Sequence, residues 1–118
     1  MSELTIDIGS EGPARVVRLR GELDLANAEQ LTEALAELEP APEGRMVIDL
    51  AECDFIDSAG LSAILHGAQE LTDDGGSVRI ACPEGHLRDL LRITAIDQSI
   101  PVVGTRNEAL TALGLDGA

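Results

Sequence analysis

The stretch IDLAECDFIDSAGLSAIL, Ile48 to Leu65, decides how this chain of 118 residues is read. An apolar strand enters it, acidic residues follow, and one hydroxyl, Ser58, stands where a helix should begin. The preceding run RMVIDL is almost continuously apolar, as in a strand covered on at least one face. After Ser58 the period changes: Leu61, Ile64, Leu65, Ala68 and Leu71 fall on one helical stripe. DDGG then stops the helix, with Gly75 or Gly76 suited to the left-handed residue beyond its end.

Upstream, LTIDI alternates apolar and polar, the period of a half-exposed strand, and GSEGP is turn chemistry. ARVVRLRGEL returns, so Leu4–Ile8 and Arg15–Gly21 are expected to form an antiparallel hairpin. In NAEQLTEALAEL, Leu31, Ala34, Leu35 and Leu38 recur at helical spacing, and Asn27 with Gln30 resembles a capping pair. EPAPEG ends that helix. Downstream, SVRIAC is a strand, PEGHLRDLLRI a helix carrying Leu87, Leu90, Leu91 and Ile93, IPVV a short strand, and RNEALTALGL a closing helix.

The order β-β-α-β-α-β-α-β-α implies parallel strands joined by right-handed crossovers. The expected fold is α/β: a mixed five-stranded sheet with about four helices. One domain is expected over residues 1–118, its core about 4–113, with 115–118 fraying. Aliphatic side chains must build the core, because Phe55 is the single aromatic.

The formal net charge is −14, and every basic residue is Arg. Such a surface repels phosphate backbones and anionic lipid, so neither nucleic acid nor membrane is an expected partner. The stacking aromatics of single-strand binders are missing as well. No apolar run approaches a transmembrane length and MSELTIDIGSEG does not open like a signal peptide, so the cytoplasm is the expected location. Cys53 and Cys82 are read as reduced thiols. Neither lies in a CxxC pair, and His66 and His86 have no ligand-like spacing to them, so no metal and no cofactor is expected.

In open α/β sheets functional groups collect at the carboxyl ends of strands. There GELDLAN offers Glu22 and Asp24, AECDFIDSAG offers Glu52, Asp54, Asp57 and Ser58, and CPEGH offers Glu84 and His86. Ser58 could serve as helix cap, nucleophile or phosphate acceptor. With Asp57 as the cap, Ser58 sits on the first turn facing out. A phosphate there meets free N–H groups and the positive end of the helix dipole, and Gly60 keeps bulk away from it. A nucleophile needs a base and an oxyanion hole. IDSAG matches only half of G-x-S-x-G, and His66 lies on the same helix two turns on. No GxxxxGK[ST] run exists, and a receiver domain needs a Lys that this chain lacks. Asp54 is read as solvating its turn, whereas Asp24 and Asp57 flank the Ser58 edge.

VIDLAECDFIDSAGLSAIL resembles the signature of the STAS-domain anti-sigma factor antagonists, in which a strand ending in Asp leads to a DSxGL helix start. GELDLANAEQL resembles the same family's loop between second strand and first helix, and the likeness spans about residues 4–113. It implies helices largely on one side of a mixed sheet. It implies a binding module rather than an enzyme, one that sequesters an anti-sigma factor serine kinase of the histidine-kinase-like ATPase fold and so frees a sigma factor. It implies that this kinase phosphorylates Ser58 and dissociates, and that a PP2C-type phosphatase reverses the step, giving positive regulation of transcription by partner switching. The expected partner surface is Glu22, Asp24, Asn27, Asp57, Ser58, Ala59, Gly60, Ser62 and Ala63, with Leu61 and Ile64 serving the core. The alternatives are a STAS subunit of a lipid-transport ATPase complex, a stressosome-like scaffold, or a small nucleotide-binding or hydrolytic module.

Overall fold

A computed structural model describes residues 3–12, 14–38 and 44–114. The stop of the first helix at EPAPEG, apart from Gly44, and the fraying of 115–118 lie outside the described residues. Leu4–Glu11 (β1) and Ala14–Leu23 (β2) form the expected antiparallel hairpin, both strands longer than the alternation alone marks out. Ala28–Ala36 (α1), Arg45–Ile56 (β3), Ser58–Asp73 (α2), Ser77–Ala81 (β4) and His86–Ile93 (α3) follow. Ile96–Ser99 (α4), Val102–Val103 (β5) and Arg106–Ala112 (α5) are the last of the described elements. The sheet runs β1-β2-β3-β4-β5, parallel from β2 onward. The one element beyond the expected order is α4, a single turn set off from α3 by Ala95 in the left-handed region at φ 60.

Adjacent residues on each strand feed opposite faces. Val17, Ile48 and Ile80 pack with Leu31, Ile64, Leu87, Leu91 and Ile96, which places α1 to α4 on one side. Val16, Val47 and Ala81 pack with Ala109 and Leu113, so α5 alone covers the other side. Buried Asp49 lies on that second face, where Arg106 of α5 donates to Oδ2 from Nε and Nη2 at 3.1 and 3.0 Å. The same guanidinium donates from Nη1 to Glu11 at 2.9 Å, pinning α5 to the hairpin end as well.

The segment AECDFI, expected as loop, is strand instead, and two bulges explain why its pattern misleads. Arg18 pairs with Asp49 and Arg20 with Glu52, then Gly21 pairs with Cys53 and Glu22 with Phe55. At each shift β3 uses one more residue than β2, the signature of a bulge. Leu50, Cys53 and Ile56 therefore face the core three apart rather than two, while Ala51, Glu52, Asp54 and Phe55 are exposed. Helix α2 ends as its glycines suggest. Gly75 takes φ 90, and the amides of Gly75 and Gly76 donate to Thr72 and Leu71, closing a Schellman motif.

Candidate functional site: the edge around Ser58

Asp57 caps α2, as the sequence indicates. Its backbone is extended, and its Oδ1 accepts the Gly60 amide at 3.0 Å. Its Oδ2 accepts the Leu25 amide at 3.0 Å, and its own amide donates to the Leu23 carbonyl at 3.1 Å. One carboxylate thus joins the loop after β2 to the start of α2. Ser58 occupies the first turn and is exposed.

The loop after β2 is organised by side chains that imitate backbone. Asp24 Oδ1 accepts the Ala26 amide at 3.0 Å. Asn27 does not cap α1 with its side chain, contrary to the capping pair expected with Gln30. Its Oδ1 accepts the Asp24 amide at 2.9 Å and its Nδ2 donates to the Glu22 carbonyl at 2.9 Å, so this buried amide holds the loop from inside.

Of the expected partner surface, Glu22, Ser58 and Ser62 are exposed, and Asp24, Asp57 and Ala59 are half-buried. Asn27, Gly60 and Ala63 turn inward. A Cβ on Gly60 would come within 2.7 Å of Leu23 Cγ and 2.9 Å of the Leu23 carbonyl oxygen. Gly60 therefore lets the helix close on β2 rather than clearing space for a phosphate. All three act from behind the surface: Gly60 and Ala63 are small residues on the inner side of α2, and Asn27 braces the loop after β2. Leu61 and Ile64 are core residues, as expected.

The third loop is occupied with structure. Glu84 accepts from Arg92 at 2.6 Å, and that contact holds its carboxyl below the usual range. His86 Nε2 donates to the Asp54 carbonyl at 3.0 Å, and the Cys53 thiol donates to the Phe55 carbonyl at 3.5 Å. Both carbonyls exposed by the second bulge are thereby satisfied. His66 Nε2 lies 2.9 Å from Glu70, a turn further along α2. Each imidazole is thus engaged away from the Ser58 hydroxyl. Cys53 and Cys82 are buried and free. Burial pushes the Cys53 thiol up to about 11 and raises Cys82 as well, so both remain inert thiols near neutral pH. Among the described residues no group of three or more His, Cys, Asp or Glu could hold a metal ion. No described helix is long and apolar enough to cross a membrane.

Sequence reasoning passes over Leu25 and Phe55. Leu25 is 79% exposed and Phe55 47%, two of four large apolar side chains so exposed among the described residues. Leu25 hangs from the amide that Asp57 binds, and Phe55 precedes Asp57 by two residues. The one available signal was a lone aromatic placed beside acidic residues.

The family model for the Mlab and STAS domain matches residues 6–104. A curated relative from Bordetella bronchiseptica, BtrV, described as a candidate anti-sigma factor antagonist, is 35% identical over 94 residues, 80% of this chain and 81% of its own. An anti-sigma factor antagonist of Mycobacterium paratuberculosis superposes with a TM-score of 0.86 at 24% identity, covering 95% of each chain. The Bacillus cell fate determinant SpoIIAA in its phosphorylated form superposes at 0.68 with 20% identity, over 92% of this chain and 99% of that one. The chain belongs to the STAS-domain family of anti-sigma factor antagonists.

Proposed function

We propose that this chain is an anti-sigma factor antagonist that works in the cytoplasm as a binding module and kinase substrate, not as an enzyme. Unphosphorylated, it docks on an anti-sigma factor serine kinase through the edge formed by Glu22, Asp24, Asp57, Ser58, Ala59 and Ser62, and frees the sigma factor. Transfer of a phosphoryl group from ATP to Ser58 ends the complex, and a PP2C-type phosphatase restores the binding form. The observation that carries this reading is the exposed Ser58 on a helix whose cap is already supplied by Asp57. The hydroxyl is not needed for the cap, and so is available to an incoming kinase. SpoIIAA, of like fold, has been solved in a phosphorylated form, which fits.

Phosphate on Ser58 adds about −1.5 to −2 charges at neutral pH. The helix N-terminus offsets part of the local cost, by about 0.3–1 kcal/mol, so no unfolding is required. Burying a dianion in an interface costs several kcal/mol, and each 1.4 kcal/mol is about tenfold in affinity. The direct test is mass spectrometry after incubation with ATP and each anti-sigma kinase of the host. One modified peptide containing Ser58 is expected, with Ser58→Asp losing the kinase and Ser58→Ala retaining it. Modification elsewhere, or Ser58→Asp binding as tightly as wild type, rules the reading out.

A further inference from the structure

Capping alone does not explain why residue 57 is Asp. Asp, Asn and Ser are about equally good caps, so the bond to the Gly60 amide leaves the choice among them open. The second oxygen separates them. A carboxylate accepts on both oxygens, whereas Asn offers one acceptor and an NH2 group, and Ser a single hydroxyl. Asp57 Oδ1 accepts the Gly60 amide of its own helix at 3.0 Å. Its Oδ2 accepts the Leu25 amide at 3.0 Å, 32 residues away in the loop after β2. Asn27 braces the same loop from inside, through the Asp24 amide and the Glu22 carbonyl. Leu25 is thus an exposed residue whose backbone is held against the helix start by a side chain.

Resting on the function proposed above, we infer that Asp57 is the positioning residue of the docking edge. Its second oxygen sets the Glu22–Asn27 loop against the Ser58 helix start, so that an anti-sigma kinase meets the two as one preformed surface. They come from different elements, and without the tie a partner that spans them must order the loop as it binds. That ordering opposes association. It leaves the phosphoryl transfer untouched, because Ser58 lies on the helix and not on the loop. Asp57 therefore governs how well the kinase engages this chain, and not the transfer step.

The test pairs the kinetics of Ser58 phosphorylation, by the anti-sigma kinase that modifies it, with amide hydrogen exchange. Asp57→Asn and Asp57→Ser keep a cap for Gly60 but cannot bind Leu25 as well, and Asp57→Ala loses both bonds. All three should raise the KM for this chain about 10-fold at unchanged kcat. Exchange at Leu25 should quicken in all three, and at Gly60 in Asp57→Ala alone. KM should therefore follow the protection of Leu25 and not stability, which Asp57→Ala lowers furthest of the three. Arg106→Ala, which unties α5 on the opposite face of the sheet, should keep the wild-type KM despite its lower stability. The 10-fold difference should persist as salt rises, whereas loss of a charge contact with the kinase would be screened. A wild-type KM in the three variants overturns the inference and leaves the proposed function standing. So does a KM that tracks Gly60 exchange or unfolding, a fall in kcat at unchanged KM, or a difference that vanishes in high salt. If no anti-sigma kinase modifies Ser58 of the wild type, the proposed function falls first, and this inference with it.

Discussion

Asp57 and Leu25 are joined across two loops: Asp57 Oδ2 accepts the Leu25 amide at 3.0 Å while Oδ1 of the same carboxylate accepts Gly60. The helix cap and the inter-loop tie are therefore one group. Asp57→Ala removes about 1 kcal/mol for the cap and about 1 kcal/mol for the second bond, so urea unfolding should show a loss of about 2 kcal/mol. Hydrogen exchange at the Leu25 amide should quicken in that variant more than at amides of β4, which share no bond with it.

Gly60→Ala should destabilise the fold by about 1–3 kcal/mol, because the new methyl meets both side chain and carbonyl of Leu23 and Cγ2 of Ile56 at 3.0 Å. The Leu23 oxygen also accepts from Asp57, so α2 cannot back away without breaking that bond. Chemical denaturation of the purified variant provides the check, and wild-type stability there would show that the helix start tolerates displacement.

Arg106→Ala should cost about 3 kcal/mol, since it strands a buried carboxylate that keeps only the Ala51 amide at 3.0 Å. Arg106→Lys should recover part of this, because a single ammonium cannot reproduce two bonds to Asp49 and one to Glu11. The loss should appear in the equilibrium unfolding of the whole domain, as α5 has no other charged tie to β3 among the described residues.

Alkaline stability isolates the thiols. The chain has no Lys and no Tyr, and Arg stays charged throughout, so between about pH 9 and 11 the cysteines are the side chains that titrate. The Cys53 thiol is raised from 9.0 to about 11 by burial. Below pH 9 both states keep the proton. Above it the unfolded chain loses the proton first and binds fewer protons than the native state, so stability falls as pH rises. The slope approaches about 1.4 kcal/mol per pH unit per thiol. Urea midpoints at pH 8, 9 and 10 should fall for wild type and fall less for Cys53→Ala.

Much of this architecture is legible in the residues because period and punctuation agree. The stripe Leu61, Ile64, Ala68 marks α2, Gly75 marks its end, and Asp57 marks its start, each by a local rule of geometry. What stays hidden depends on the partner strand. AECDFI reads as loop because its inward residues are three apart, and only the pairing with β2, Arg18 with Asp49 then Arg20 with Glu52, and Gly21 with Cys53 then Glu22 with Phe55, reveals the two bulges. Asn27 misleads for a related reason. Its amide suits a cap equally well, and the choice is made by Glu22 and Asp24, whose backbone positions the helix pattern does not encode. The α4 turn is too short for any period to register.

The two bulges of β3 have a consequence for how such a domain can diversify. Each inserts an outward residue without displacing Leu50, Cys53 or Ile56, so the four exposed positions Ala51, Glu52, Asp54 and Phe55 are free to vary independently of the core beneath them. A library randomised at those positions should stay folded, its members differing in surface charge and apolarity while the core packs unchanged.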